Sequence, residues 1–522
     1  MFYERIDKSK LINRVSYHIV NIDSDIKNNG KNSNQFDVED DTYNDARYIR
    51  KELQLNNENL YYLYIYITLY SDKKEEIEYL LDKLESLLNT SGLNSRRAYF
   101  REEQAFKSTL PFMINSNEIK EVAKRNMIEK DLASTYPFVT TTIFDEKGIF
   151  IGKDLNNNSL IFIDKFNKNK YKNSNMCIFG TSGAGKSYFT KINILRNALL
   201  DINQYIIDPE REYGTLCKNI GGTLIKIGPN SESYINIFDI RENKEDKETS
   251  GYLGNKINRL MGFFNLVFGN INEEEKALIE EKIIILYRNK DITFDNDSLY
   301  KNKVSGRKVF KEKEDMPLLE EFYEILKRDE DTKKLATKLI PFIKGSLNFF
   351  NNYTNIDIND SLIVADIYDL ENDNIKFGMF LFIDLFWDLI RNDRSTFKSI
   401  YMDEIWRLVG VTSNKYVASF IYTIFKTIRK YNGSAVGITQ DVSDLFSLDN
   451  GNFGKSIINN SCFKCFFSLE EENINVLKDY TNITSEEMIS IKNLKRGECL
   501  MYIDKDHILA KIEVSEDESN II

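Results

Sequence analysis

The spacing of apolar and polar positions predicts a small α/β region over the first 170 residues. Leu60–Leu69 alternates apolar and aromatic residues as a strand does, and Lys73–Leu88 repeats its leucines with helical spacing. The other predicted elements are helices at Arg101–Thr109 and Glu118–Ala133, a hairpin of Thr140–Phe144 with Gly148–Ile151, and a strand at Leu160–Asp164. We therefore expect a separate N-terminal domain over residues 1–170.

From Met176 onward, short apolar strands alternate with helical segments. This alternation is typical of a parallel sheet with helical crossovers. The predicted strands are Met176–Phe179, Tyr205–Ile207, Thr223–Ile227, Leu362–Ile367, Lys398–Met402, Ala435–Ile438 and Phe463–Phe467, and Gly497–Ile503 and Ile508–Val514 form a closing hairpin before a polar tail. The intervening helices include Ser187–Leu200, Phe377–Ile390 and Val417–Tyr431. The second domain is therefore predicted to be α/β and to span residues 171–522.

Between residues 241 and 345 the strand signal disappears. The four helical patterns in this segment are Gly251–Phe268, Glu273–Arg288, Leu318–Arg328 and Thr332–Phe342. We interpret the segment as an all-α insertion within the second domain.

The first apolar strand of this domain leads directly into a glycine-rich motif. The sequence of residues 180–187, GTSGAGKS, matches the P-loop pattern GxxxxGK[ST], and a predicted helix follows it. Such a loop surrounds the β-phosphate with backbone N–H groups, its lysine reaches the β- and γ-phosphates, and its serine coordinates Mg²⁺. We therefore predict that MgATP binds to Gly180, Thr181, Ser182, Gly183, Ala184, Gly185, Lys186 and Ser187, with Ser187 as a metal ligand.

A P-loop requires an acidic partner at the end of a nearby parallel strand. Asp403 and Glu404 follow the strand Lys398–Met402, so Asp403 is expected to hold Mg²⁺ and Glu404 to polarise the attacking water. A glutamate in that position favours ATP hydrolysis over the scheme of small GTPases. Taken alone, the pair is equally explained as the cap of a surface turn.

Three polar residues near the ends of other predicted strands are further candidates for contacts with the nucleotide. Gln440 follows the strand Ala435–Ile438, where it can sense the γ-phosphate or simply end a buried strand. Arg429 ends the preceding helix and is a candidate arginine finger toward a neighbouring subunit, although a helix C-terminus also favours cations. Arg211, after the second strand, is the alternative finger.

The composition of the chain limits which partners we expect the protein to bind and in which compartment we expect it to work. The net charge of −11 argues against a protein that coats DNA, so any nucleic-acid contact is expected to be local. The chain shows no run of 18 apolar residues and no signal-peptide core, which predicts a cytoplasmic location. Cys462 and Cys465 have CxxC spacing without a second pair, so we interpret them as structural.

The chain contains the motifs GTSGAGKSY, DPEREY, the Asn236–Asp239 step, MDEIW and GITQD, with EQAFKSTLP, Tyr136-Pro137-Phe138 and Gly148–Gly152 further upstream. Together these motifs resemble the conjugative (type IV secretion) ATPase family of the HerA–FtsK group of hexameric motors. The resemblance implies a RecA-like motor that powers channel assembly or transfer of DNA or protein. It also implies a homo-hexamer, channel partners at the inner face of the cytoplasmic membrane, and a sensor role for Gln440 and a finger role for Arg429.

Family members usually carry a longer N-terminal region, so docking of this chain to the channel is expected to differ or to use another protein. The two alternative functions are a soluble hexameric translocase of duplex DNA and a nucleotide-binding scaffold with little turnover. The predicted absence of transmembrane helices disfavours the membrane-anchored coupling protein of the same systems.

Overall fold

The computed structural model describes residues 1–28, 34–55, 58–90, 92–135, 142–243, 251–269, 271–302, 308–356, 358, 360–371, 374–410 and 415–522. The chain forms two compact units, Met1–Thr140 and Thr141–Ile522. The division lies about thirty residues before the boundary predicted at residue 170, because the intervening strands belong to the sheet of the second unit.

The first unit contains a three-stranded antiparallel sheet. Its strands are β1 (Phe2–Arg5), β2 (Leu60–Tyr64) and β3 (Arg125–Ile128), with β2 in the centre. The helices are α1 (Lys8–Asn28), α2 (Asn34–Leu55), α3 (Lys74–Thr90), α4 (Glu102–Thr109), α5 (Asn117–Ala123) and α6 (Glu129–Ser134).

Two predictions for this unit are wrong in their bounds. The strand predicted over Leu60–Leu69 ends at Tyr64. The single helix predicted over Glu118–Ala133 is two helices separated by β3, which pairs with β2 as the third strand. Sheet pairing thus overrides the helical spacing of these residues. Tyr136-Pro137-Phe138 lies outside the described residues.

The second unit is built on an eleven-stranded sheet in the order β5-β4-β16-β15-β14-β6-β13-β12-β7-β11-β8. The strands run in parallel from β14 to β8 and antiparallel at the other end. Their bounds are β4 (Ile149–Asp154), β5 (Leu160–Ile163), β6 (Met176–Phe179), β7 (Asn203–Asp208), β8 (Thr223–Lys226), β11 (Leu362–Asp366), β12 (Lys398–Met402), β13 (Gly433–Thr439), β14 (Phe463–Phe466), β15 (Glu498–Ile503) and β16 (Asp506–Ile512).

The hairpin predicted at residues 140–151 is also wrong. The strand Ile149–Asp154 instead pairs with Leu160–Ile163, and Phe144 forms only an isolated bridge to Phe162. The Asn-rich segment between the two strands makes the turn, because the Asp154 carboxylate accepts a hydrogen bond from the Asn156 backbone N–H at 2.7 Å. Thr140 and Thr141 lie outside the described residues.

The inserted segment is mostly helical. It contains α9 (Tyr252–Phe268), α10 (Glu273–Arg288), α11 (Leu319–Arg328) and α12 (Lys333–Lys344) at nearly the predicted positions. It is not all-α, since β9 (Tyr300–Asn302) and β10 (Lys308–Phe310) form an antiparallel pair. Phe263 and Phe264 of α9 are fully buried among the aromatic rings of this segment.

The remaining helices cover the sheet or follow its strands. They are α7 (Lys186–Ala198), α8 (Gly214–Asn219), α13 (Ile375–Arg391), α14 (Trp406–Val409), α15 (Lys415–Thr427), α16 (Val442–Leu445), α17 (Asn452–Asn459), α18 (Glu471–Lys478), α19 (Ser485–Asn493) and α20 (Glu516–Ile521). The predicted polar tail is therefore wrong in part, because it forms α20. A bidentate ion pair joins Glu518 of α20 to the buried Arg196 of α7.

Candidate functional site

The predicted site residues meet where the parallel strands end. In the register of the sheet, Phe179 pairs with Thr439, and Met402 pairs with Gly437 and Ile207. The residues that follow these strands therefore lie along one edge, where ligands of open α/β sheets bind. The strand that carries Asp403 is not adjacent to the P-loop strand, because β13 lies between them.

Glycines are required at three points of the loop over residues 180–187. Gly183 and Gly185 adopt φ angles of 77° and 114°, which other residues rarely adopt. At Gly180 a Cβ atom would lie 2.7 Å from the Cβ of Phe467. The loop therefore turns tightly against the sheet and directs its backbone toward the N-terminus of α7, the usual position of a bound phosphate.

Lys186 lies folded over this loop. Its Nζ donates hydrogen bonds to the carbonyl oxygens of Gly180, at 2.7 Å, and Thr181, at 3.0 Å. Burial lowers the pKa of Lys186, and the nearby carboxylates of Glu404 and Asp403 oppose that shift. The ammonium can exchange its two carbonyl partners for phosphate oxygens. Ser187, the next residue, is half-buried at the start of α7.

Asp403 is buried at the end of β12. One carboxylate oxygen accepts a hydrogen bond from the Tyr213 hydroxyl at 3.0 Å, and the other accepts one from the Glu404 backbone N–H at 2.9 Å. Burial, with the charge of Glu404 beside it, raises the pKa of Asp403 to about 8. A carboxylate held in this way gains most from a cation, because Mg²⁺ would offset its buried charge.

Glu404 has a left-handed backbone with φ of 48°, which is unusual for a residue other than glycine. Its side chain accepts a hydrogen bond from the indole nitrogen of Trp406. Burial raises the pKa of Glu404, while the Trp406 hydrogen bond and the Lys186 charge oppose the shift. A carboxylate with a raised pKa is suited to accept a proton from water.

The other three predicted residues differ in their position on the sheet and in their contacts. Gln440 follows β13 at the edge that carries the loop, and its side chain is exposed. Arg429 precedes β13 at the opposite edge and donates to the Lys172 carbonyl at 3.4 Å. Arg211 is engaged within its own chain, with hydrogen bonds to Asp366 at 2.8 Å and Asp369 at 2.6 Å.

Sequence reasoning missed two side chains that contact the acidic pair. Tyr213 is fully buried with its hydroxyl on Asp403, and the DPEREY motif that it ends gives no indication of this contact. Trp406 ends the MDEIW motif, and its indole donates a hydrogen bond to Glu404. An aromatic donor close to a cluster of acids is the signal that could have identified both residues.

One finding concerns the reactivity of the cysteines, and another concerns whether the helices can cross a membrane. All five cysteines are buried and unpaired, and burial raises the pKa of Cys177 and Cys217 to about 11. Thiols with such a pKa are poor nucleophiles at neutral pH. Within the described ranges, no helix is both long enough and apolar enough to cross a bilayer.

A glycine loop before a helix, with an Asp-Glu pair two strands away on the same edge of a parallel sheet, defines the P-loop NTPase class. Within that class, the chain belongs to the family described as the TraG P-loop domain, whose model matches residues 153–498. This match confirms the resemblance to conjugative ATPases.

Individual relatives agree with this assignment. The chain is 22% identical to the protein TraC of Escherichia coli (strain K12) over 429 residues, which cover 75% of this chain and 44% of TraC. It is 19% identical to an uncharacterized protein of Bacillus anthracis over 493 residues, which cover 84% of this chain and 75% of that protein. The chain therefore spans less than half the length of TraC.

The structure of VirB4 of Thermoanaerobacter pseudethanolicus is similar in fold. It superposes with a TM-score of 0.65 at 28% identity, and the match covers 73% of this chain and all of that one. The α/β P-loop fold expected from the sequence is thereby confirmed.

Proposed function

We propose that this protein is an ATP-hydrolysing motor of a conjugative type IV secretion apparatus. The observation that carries the proposal is the buried pair Asp403 and Glu404 at the edge that holds Lys186, on a chain of the TraG P-loop family. The motor would power channel assembly or the transfer of DNA or protein. Its partners would be channel components at the inner face of the cytoplasmic membrane.

The residues of the site divide the chemistry among them. The backbone of residues 180–187 would hold the phosphates, and Lys186 would neutralise the β- and γ-phosphates. Ser187 and Asp403 fit Mg²⁺, since they offer the oxygen ligands it prefers and Asp403 lacks a cationic hydrogen-bond partner among the described residues. The metal would shield the charge that develops on the transferred phosphoryl group. Glu404 would orient a water and accept its proton.

Two further roles complete the proposal. Gln440, exposed beside the loop, would contact the γ-phosphate or the attacking water and report hydrolysis. Arg429 lies at the opposite edge of the sheet, so it would act on the nucleotide of a neighbour in a ring of identical subunits. We propose a hexamer, with the unit Met1–Thr140 serving in docking and assembly.

Hydrolysis by purified protein tests the motor. We expect Glu404→Gln to lower kcat at least 100-fold while MgATP still binds, because only the proton acceptor is lost. Lys186→Ala should abolish both ATP hydrolysis and conjugative transfer in a complementation assay. Glu486→Gln, an exposed charge change on α19, is the matched control and should retain activity. Undiminished transfer by the Lys186→Ala protein would refute the proposal.

A further inference from the structure

A cationic groove lies at the amino edge of the sheet, opposite the edge that carries the P-loop. It encloses about 290 Å³ between the segment that leads into β6 and the start of β13. We call it the amino-edge groove. The cationic side chains that line it are Lys165, Lys168, Lys172, Arg429 and Lys430, and no Asp or Glu lines it among the described residues.

Lys165 is the most buried of these cations, with 8% of its surface exposed. Its Nζ donates a hydrogen bond to the Ser399 hydroxyl at 3.0 Å and faces the rings of Phe166 and Tyr401. Across the described part of the chain it forms no ion pair. Burial without a compensating carboxylate lowers the pKa of Lys165 to about 7. Burying an ammonium without a counter-charge costs free energy. A bound anion would therefore stabilise the Lys165 side chain in this position.

The other cations are only weakly neutralised. Lys168 donates to the side-chain oxygen of Asn432 at 2.5 Å, and Arg429 donates to a backbone carbonyl at 3.4 Å. Lys172 lies 3.7 Å from Asp504, at the outer limit of an ion pair. These partners leave a net positive groove on a protein whose formal net charge is −11. A multiply charged anion suits such a groove, because its several ammonium groups can bind the anion together without using Arg429.

An aromatic wall adds a second kind of contact. The ring of Phe166, which lines the groove, stacks on Phe397 with 4.7 Å between centroids. Phe397 is 42% exposed. Aromatic surface beside cations is the combination that binds the base and the phosphate of a nucleotide unit.

We propose that the amino-edge groove is a second phosphate-binding site, separate from the P-loop, with Lys165 at its base. Its ligand is a phosphate group carried by a free nucleotide or by the backbone of a single-stranded nucleic acid. The two sources share this chemistry, and competition between them identifies which one the site takes.

The test uses the full chain carrying Lys186→Ala, which removes the P-loop lysine, and inorganic tripolyphosphate as the calorimetric probe. We expect one tripolyphosphate bound per chain. Adding Lys168→Gln with Lys430→Gln should weaken that binding at least tenfold, because two cations of the groove are lost. Adding Lys165→Met instead should weaken it without lowering the Tm, because the substitution removes an unpaired buried charge.

A charge-matched control is available on the inserted helices. Lys327→Gln with Lys333→Gln removes two exposed lysines that do not line the groove, and it should leave binding unchanged. Displacement of tripolyphosphate by an oligothymidylate identifies a nucleic-acid backbone, and displacement by ATP alone identifies a nucleotide. Absence of binding in the Lys186→Ala protein, or equal affinity in the Lys168→Gln/Lys430→Gln protein, would overturn the proposal. ATP hydrolysis by the chain with its native Lys186 is measured separately, so failure of one proposal is distinguishable from failure of the other.

Discussion

At the scale of single residues, the site depends on side chains that hold the acids as well as on the acids themselves. The hydroxyl of Tyr213 fixes the carboxylate of Asp403, and the indole of Trp406 contacts Glu404. The first contact is buried and the second is partly buried, so each hydrogen bond restricts the orientation of a carboxylate that we propose faces the ligand.

Removing the Tyr213 hydroxyl should weaken the binding of Mg²⁺ more than the binding of the nucleotide. We expect Tyr213→Phe to weaken binding of MgADP by roughly 3- to 10-fold, the effect of losing one hydrogen bond of about 1 kcal/mol. Binding of ADP without Mg²⁺ should not change, because Tyr213 contacts the carboxylate and not the loop. Fluorescence titration with and without Mg²⁺ measures both constants. Equal losses under the two conditions would contradict the role assigned to Tyr213.

Gly185 offers a test of the loop backbone. Its φ of 114° strains any other residue, and an added Cβ would lie 3.3 Å from the Gly497 nitrogen. We expect Gly185→Ala to cost about 1–3 kcal/mol of loop stability and to weaken nucleotide binding. Gly254→Ala is the matched control, since a Cβ there meets no atom within 4 Å in helix α9. That substitution should leave binding intact and stabilise the fold slightly.

The position of Asp403 and Glu404, at the edge of the sheet that carries the P-loop, could be predicted from the sequence because a P-loop requires acidic partners at the end of a nearby strand. The contacts of Tyr213 could not, since the hydrogen bond joins residues 190 positions apart and leaves no local pattern. Arg211 illustrates the same limit. Its sequence position suggested a finger, whereas its guanidinium is held by Asp366 and Asp369 of the same chain.

At the scale of elements, the C-terminal helix α20 is joined to the helix that follows the P-loop. Glu518 of α20 forms a bidentate pair with Arg196 of α7, which also donates to the carbonyls of Phe150 and Glu513. Arg196 is 6% exposed, so this network connects three parts of the chain away from solvent. The predicted polar tail gave no indication of it, because a single acid at a chain end has no periodicity.

The stabilisation that the Glu518–Arg196 pair contributes depends on pH. The guanidinium of Arg196 lowers the pKa of Glu518 from 4.5 to about 2. The stabilisation is therefore complete above pH 4.5 and is lost as the pH falls toward 2. We expect Glu518→Gln to lower the free energy of unfolding by about 1–3 kcal/mol at pH 7 and by progressively less below pH 4.5. Denaturant unfolding across that pH range measures the difference. A difference that does not vary with pH would contradict the assignment.

At the scale of the whole molecule, the boundary between the two units can be tested. The unit Thr141–Ile522 contains β4 and β5, whose residues Ile151 and Ile161 are buried in its core. A fragment of residues 141–522 should unfold cooperatively and bind MgATP. A fragment of residues 171–522 lacks those strands and exposes β16, so it should be markedly less stable or insoluble. Thermal melts compare the two, and equal stability would support the boundary expected at residue 170.

The order of strands and helices in the second unit was largely predictable, since buried parallel strands are short apolar runs with helices between them. Two features were not predictable. The strand β13 lies between the P-loop strand and the Asp403 strand, and the pair β9–β10 interrupts the helical insertion. Strand order and short pairings depend on tertiary contacts, which periodicity does not encode.

A structure of the chain with Mg²⁺ and a non-hydrolysable ATP analogue tests the central claim most directly. We predict the triphosphate within Gly180–Ser187, with the Lys186 ammonium moved from the Gly180 and Thr181 carbonyls to phosphate oxygens. Mg²⁺ should be bound by Ser187 and face the Asp403 carboxylate. Nucleotide bound elsewhere with this loop empty, or an Asp403 carboxylate turned away from the metal, would contradict the account.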